Sequence, residues 1–395
     1  MSDSDIVIVS VARTPIGGFQ GALRGNSAAE LGSKAIESSL DRARITPDDI
    51  DEVVMGCVLP AGQGQAPARQ ASIGAGIPLS TGCTTINKMC GSGMKAVMFA
   101  HDVIKAGSAS VVVAGGMESM SNAPYLLPRA RSGYRMGHQS VVDHMFLDGL
   151  EDAYEKGRLM GTFAEDCAKR YRFSRKAQDD FAITSLERAK KANEDGSFKW
   201  EIAPVTNEKR GGEVEVIDRD EQPFKASPEK LRKLRPAFDK AGSVTAANSS
   251  SISDGAAAII LMTRLRAQAL GVTPIARIVT HTNHAQEPGW FTTAPVEAIR
   301  KVYDKTGWSA GDVDLYEINE AFAVVTMAAM EEHKLDHQKV NIHGGACALG
   351  HPIGASGARI IATLLGALHK RGENRGIASL CIGGGEATAV AVEIE

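Results

Sequence analysis

The landmarks of the N-terminal third of this chain recur, in the same order and at similar spacing, in its C-terminal third. Asp49-Ile50-Asp51-Glu52-Val53 is paralleled by Asp312-Val313-Asp314-Leu315-Tyr316. Gly91-Ser92-Gly93 and Gly354-Ala355-Ser356-Gly357 each open a helical pattern, and Gly115-Gly116-Met117-Glu118 and Gly383-Gly384-Gly385-Glu386 each follow an apolar strand. Such a recurrence implies an internal duplication. In both copies continuous apolar runs, among them Ile6-Val7-Ile8-Val9, Val111-Val112-Val113-Ala114 and Ile377 to Cys381, alternate with helical patterns. That alternation predicts a largely parallel sheet covered on both faces. Two such β/α halves facing one another place a shared site between them.

Between the halves the character changes. From Ser121 to about Ser250 the chain is more polar and poor in apolar strand runs, and Phe163 through Ala192 reads as a charged amphipathic helix pair. Lys209-Arg210-Gly211-Gly212 marks a loop, and the basic run Lys230 to Lys240 suits either a phosphate or a solvated face. The β/α pattern resumes at Ala256-Ala257-Ala258-Ile259-Ile260-Leu261, so the polar stretch is an insertion on the sheet domain. A length of 395 residues predicts more than one domain, and 41 glycines with 5% aromatics suit close helix–sheet packing. A net charge of −3 gives no electrostatic case for nucleic acid. No apolar run is long enough to span a bilayer, and no leader or peroxisomal signal is evident. The six scattered cysteines form no C-x-x-C pair, so their spacing suggests neither a disulfide framework nor a zinc site, and a reducing, cytoplasmic setting is expected.

Four blocks carry the chemistry. Cys90, in Asn87-Lys88-Met89-Cys90-Gly91-Ser92-Gly93, falls on a tight turn between a short buried strand ending at Ile86 and a helix running toward Lys105. Unpaired N–H groups at such a turn are expected to lower a thiol pKa, which makes Cys90 a candidate acyl acceptor; the alternative is a buried structural thiol. His351, in the glycine-rich Gly344 to Gly354 loop, is the most constrained candidate base, or a helix-capping histidine. Cys381 ends a buried strand before Gly383-Gly384-Gly385, where a thiol can exchange protons and glycine N–H groups can receive an oxyanion, unless it is simply core. Asn319 precedes a helix and either donates to a carbonyl or water, or caps that helix.

Together with Val11-Ala12-Arg13-Thr14-Pro15-Ile16-Gly17 and Gly115-Gly116-Met117-Glu118-Ser119-Met120-Ser121, these blocks resemble the thiolase family over essentially the whole chain. The resemblance implies a duplicated α/β fold, layered αβαβα, with an inserted loop domain. The N-terminal half then comprises residues 1–120 plus 251–272, the loop domain 121–250, and the C-terminal half 273–395. It implies reversible Claisen condensation of two acetyl-CoA to acetoacetyl-CoA and CoA, with no metal or redox cofactor. Cys90 matches the acylated nucleophile, His351 its base, and Cys381 the group that removes the C2 proton. Asn319, through a water, and His351 match one oxyanion hole; the N–H groups of Cys90 and Gly383 match the other. Leu150, Met160, Ala246, Ser250 and Phe322 match positions of the pantetheine tunnel and acyl pocket, and Phe238 one near the adenine. Ser121 through Gly137 matches a tetramerisation segment, so a homotetramer, a dimer of dimers, is expected.

Three departures bear on coenzyme contacts and chain length: the serines within Asn248 to Asp254, Phe224 in place of an arginine, and Leu159 in place of a histidine. Cys347 reads as a packing residue beside His351. The alternatives are a 3-ketoacyl-CoA thiolase of broader chain length, a decarboxylating condensing enzyme with a second histidine where Cys381 stands, and a catalytically silent relative. A thiol sensor pairing Cys90 with Cys381 is the fourth.

Overall fold

The computed structural model describes residues 2–208 and 211–395; the Lys209-Arg210 part of the expected loop lies outside them. Nine strands form one continuous path in the main sheet: β1 (Ile6–Arg13), β2 (Glu52–Gly56), β3 (Gly82–Ile86), β4 (Val111–Ser119), β5 (Ser253–Thr263), β6 (Ala276–Ala285), β7 (Leu315–Ile318), β8 (Arg375–Ile382) and β9 (Glu386–Ile394). Their spatial order is β3-β2-β4-β5-β1-β6-β9-β8-β7. Outward from the β1–β6 junction the two halves mirror one another, with the counterpart of β3 reduced to a single parallel bridge between Tyr316 and Val340. The duplication extends to individual hydrogen bonds. Asp51 Oδ2 accepts the N–H groups of Ser110 (2.7 Å) and Val111 (2.9 Å) where β4 begins. Asp314 Oδ2 accepts those of Asn374 (3.0 Å) and Arg375 (2.8 Å) where β8 begins.

The expected parallel character is wrong for most of the sheet. Only β2–β3, β2–β4 and β7–β8 pair in parallel, and the five central pairings are antiparallel. A continuous apolar run reports that both faces are covered, which here is true without parallel strands. The expected buried strand before Cys90 is also corrected: β3 is half-exposed because it lies at the sheet edge, with β2 as its only strand neighbour among the described residues.

Side-chain alternation divides the core into layers. Ile8, Val112 and Ile259 of the first half and Leu380 and Val390 of the second face inward onto two central helices, Ser92–Lys105 and Ser356–Arg371. On the outer face of the first half, Val7, Val113 and Ile260 meet Leu31, Ala35 and Ile36 of the helix Ala28–Ala43. On the outer face of the second, Tyr316, Ile377 and Ala389 meet Ile299 and Val302 of the helix Ala294–Thr306. The stack is therefore helix, sheet, helix, sheet, helix, and each large apolar side chain withdrawn from water contributes about 1.5–3 kcal/mol. Local signals agree with it. The Ala28–Ala43 helix opens on a reciprocal cap in which the Glu30 N–H donates to Ser27 Oγ (3.2 Å) and the Ser27 N–H to Glu30 Oε2 (2.7 Å).

The insertion supplies helices Met160–Tyr171 and Arg175–Glu194 and a hairpin of Val205–Glu208 with Val214–Ile217. A fully buried cation fastens it to the sheet. Arg13, at the end of β1, donates to Asp220 (2.6 Å) and Glu201 (2.5 Å) of the insertion, and Thr363 of the second central helix also donates to Glu201 (3.0 Å).

Candidate active site

After β3 the chain turns sharply into the first central helix, with Met89 in the left-handed region at φ 48°. Side chains hold that conformation. Asn87 Oδ1 accepts the Met89 N–H (2.8 Å), while Ser92 Oγ accepts the Lys88 N–H (2.8 Å) and donates to the Met89 carbonyl (2.7 Å). Cys90 is thereby presented beside the helix N-terminus, reachable from a cavity but otherwise enclosed by protein. Burial pushes its thiol up to about 11, although the N–H groups of Gly383 and of Cys90 itself point at the sulfur and pull the other way. The expectation of a lowered pKa is thus corrected for the resting enzyme: desolvation outweighs the two donors.

The second half supplies the groups that face this thiol. His351 Nδ1 lies 2.6 Å from Ser356 Oγ, and that hydroxyl donates its own proton to the Pro352 carbonyl at 3.0 Å. Ser356 can therefore only accept from His351, which assigns the proton to Nδ1 and leaves Nε2 bare. Burial, with the Arg359 charge adding to it, pushes His351 down to about 3, so the ring is neutral near pH 7. Asn319 Nδ2 stands 3.5 Å from Nε2, and Arg359 Nη2 donates to Asn319 Oδ1 at 3.4 Å, which fixes the direction of the amide. Asn319 is not a helix cap: the following helix, Ala323–His333, has Phe322 at its N-cap. Cys381 is 1% exposed near the end of β8, and its thiol is raised well above its ordinary value by burial and by Cys90 nearby. The β8–β9 turn beyond it needs glycine at Gly384 (φ 90°) and Gly385 (φ 88°).

Three close contacts bring the halves together. A Cβ on Gly116 would lie 1.9 Å from the Gly354 carbonyl, one on Gly357 2.3 Å from the Met94 nitrogen, and one on Gly93 2.9 Å from the Ala358 nitrogen. The two central helices thus start against one another, with Cys90 and His351 on the adjoining loops. Glu118, fully buried, accepts N–H groups from Val58 (3.0 Å), Leu59 (3.1 Å) and Gly354 (2.9 Å), tying loops of both halves; burial still pushes its carboxyl up to about 7.

Cys90, His351, Cys381 and Gly383 line one cavity of about 380 Å³, whose wall also includes Leu150, Met160, Phe238, Ala246, Ser250 and Phe322. Asn319 stands behind His351, outside the wall. Leu159 lines the cavity too, whereas Phe224 does not; its ring carries the Arg219 guanidinium at 4.5 Å. Phe146, Ile252, Phe291 and Ile353 add to the apolar lining, and sequence reasoning missed them because isolated apolar residues carry no motif. The serines after Asn248 have structural partners: Ser249 Oγ donates to the Thr245 carbonyl (2.7 Å), and the Ser250 N–H to the Ala321 carbonyl (2.9 Å). Cys347 does not simply pack beside His351. Its Sγ donates to the Glu320 carbonyl (3.6 Å) and its N–H to Glu320 Oε2 (3.1 Å), beneath the Asn319 loop.

The arrangement offers a thiol with two N–H donors on its sulfur, a neutral imidazole with a free nitrogen, and a second thiol in one apolar chamber. It suits acyl transfer through a thioester. The thiolase N-terminal domain model matches residues 6–265 and the thiolase C-terminal domain model residues 272–394. The chain is 52% identical to acetyl-CoA acetyltransferase 2 of Arabidopsis thaliana over 99% of this chain and 97% of that protein. It is 48% identical to the acetyl-CoA acetyltransferase of Cupriavidus necator over 99% of both. The crystal structure of Acat5 thiolase from Ascaris suum in complex with coenzyme A superposes with a TM-score of 0.93 at 41% identity, over 99% of this chain and 100% of that one. A chain that matches both domain models over nearly its full length, with this chamber at the junction of its halves, belongs to the thiolase family.

Proposed function

We infer that this chain is an acetyl-CoA acetyltransferase, joining two acetyl-CoA into acetoacetyl-CoA and CoA or running the reverse thiolysis. The observation that carries this reading is the convergence of Cys90, His351, Cys381 and the Gly383 N–H on one cavity. His351 Nε2 takes the Cys90 proton as sulfur attacks the thioester carbonyl. The tetrahedral oxyanion is received by the N–H groups of Cys90 and Gly383. CoA leaves as a thiolate and is protonated by Cys381, a role that suits a thiol with a raised pKa. The Cys381 thiolate then removes a C2 proton from the second acetyl-CoA. His351, now protonated, and a water held by Asn319 stabilise the enolate oxygen. The enolate carbon attacks acetyl-Cys90, expelling the Cys90 thiolate, which recovers its proton from His351.

Leu150, Met160, Ala246, Ser250 and Phe322 hold pantetheine and acyl group in this reading, and Phe238 packs near the adenine. The mechanism calls for no metal or redox cofactor; CoA thioesters are substrates. The apolar side chains exposed between Tyr125 and Val141 support assembly as a homotetramer. Free cysteines throughout support a reducing compartment, the cytoplasm, and no described helix is long and apolar enough to cross a membrane. Mass spectrometry after mixing with acetyl-CoA tests the scheme. An acetyl adduct is expected on Cys90 in the wild type and in Cys381→Ala, and Cys90→Ser is expected to carry none. Turnover of acetoacetyl-CoA plus CoA by Cys90→Ala would overturn it.

A further inference from the structure

We propose that His101, Asp102 and His281 form a binding site for one divalent transition-metal ion of the zinc or cobalt class, bridging the two halves of the fold. His101 and Asp102 lie near the C-terminal end of the first central helix, and His281 lies on β6 of the second half. Asp102 Oδ1 is 3.0 Å from His101 Nδ1 and 2.9 Å from His281 Nε2, and the three donor atoms all lie within 4.8 Å of one another. The imidazoles meet edge to face, with centroids 5.0 Å apart and planes at 85°, so each turns a nitrogen toward the same carboxylate oxygen. None of the three residues lines the catalytic cavity.

A tetrahedral ion with bonds of about 2.0–2.2 Å needs donors roughly 3.3 Å apart. The two short contacts therefore have to open by a few tenths of an ångström, which small side-chain rotations supply. Two imidazoles and one carboxylate select zinc, cobalt, nickel or copper over magnesium or calcium. The imidazoles are mostly buried, at 19% and 16% exposure, while Asp102 at 51% gives the ion access from solvent. Lys305 Nζ is fastened to the His281 carbonyl at 3.0 Å, and its charge opposes a cation at the site. Because the ligands come from both halves, a bound ion ties the first central helix to the second half of the sheet and stabilises the folded chain.

The test titrates Co²⁺ into the full-length enzyme after dialysis against a chelator and reads visible absorption, stoichiometry and Tm. One Co²⁺ per chain is expected, with d–d bands, no thiolate charge-transfer band and a raised Tm. His101→Gln and His281→Gln should each weaken uptake by at least about tenfold and remove the Tm increase, while metal-free thiolysis stays at the wild-type rate. A thiolate charge-transfer band would place the ion on the catalytic cysteines instead. That result, uptake below one ion per chain, or uptake unchanged in both variants would overturn the proposal.

Discussion

At the scale of single residues, the resting site is a neutral pair: a Cys90 thiol pushed up to about 11 beside a His351 ring pushed down to about 3. Neither group is charged near pH 7, so proton transfer belongs to the attack on substrate and not to a preformed ion pair. Because the thiol is raised, its thiolate fraction grows about tenfold per pH unit until the folded value is reached. Alkylation of Cys90 by iodoacetamide, followed by peptide mass spectrometry, should therefore climb steadily through about pH 8–10 with no plateau near neutrality. A plateau below pH 8 would show an ion pair at rest. His351→Gln should lower kcat by about 10²–10⁴ while leaving alkylation at high pH intact, since hydroxide then forms the thiolate. Cys381→Ala should lose the same order of magnitude in condensation, measured as acetoacetyl-CoA formed, yet keep the acetyl–Cys90 adduct.

At the scale of elements, the site depends on how closely the two central helix N-termini and the end of β4 approach, and glycines set those distances. A methyl group on Gly116 meets the Gly354 carbonyl, three residues from His351, at 1.9 Å. Gly116→Ala should cost about 1–3 kcal/mol in urea unfolding and also lower kcat, because the backbone that must move carries the base. Lowered stability with full activity would show that the His351 loop is positioned independently of this contact. The glycine-rich turn after Cys381 and the strand-to-helix position of Cys90 were legible in the sequence, because each is a local rule with a residue signature. Strand direction was not legible, since apolar runs report coverage alone. Nor was the sign of the Cys90 shift. Local N–H donors are visible in Met89-Cys90-Gly91, but the desolvation that outweighs them comes from residues remote in sequence, among them Leu59, Met145 and Ile353. Arg359, which orients Asn319, and Glu118, which joins the loops of both halves, were invisible for the same reason: their partners are remote in sequence.

At the scale of the whole molecule, the duplicated halves cover one another's inner faces, and the insertion is locked on through buried Arg13. Among the exposed large apolar side chains, one group lies close together in the chain. Met136 is 99% exposed, Tyr125 66%, Val141 58% and Leu127 52%, on and beside a short ribbon in which Tyr125–Leu126 pairs with Val142–Asp143. Edge strand β3 adds a second open surface, since among the described residues no strand lies beside its outer backbone groups. Apolar side chains crowded on one projecting ribbon are costly to leave in water and mark an association surface. A ribbon contact and an edge contact on one chain can generate dimers that pair again, a closed assembly of four. Sedimentation velocity at micromolar concentration should therefore show a tetramer. The double variant Leu127→Asp with Met136→Asp should halve the assembly to a dimer, because charge on the ribbon opposes only that contact and leaves β3 unchanged. The variant dimer should still form acetyl–Cys90, since neither substituted residue lines the cavity. A wild-type monomer, or a variant that stays tetrameric, would remove the ribbon from the assembly.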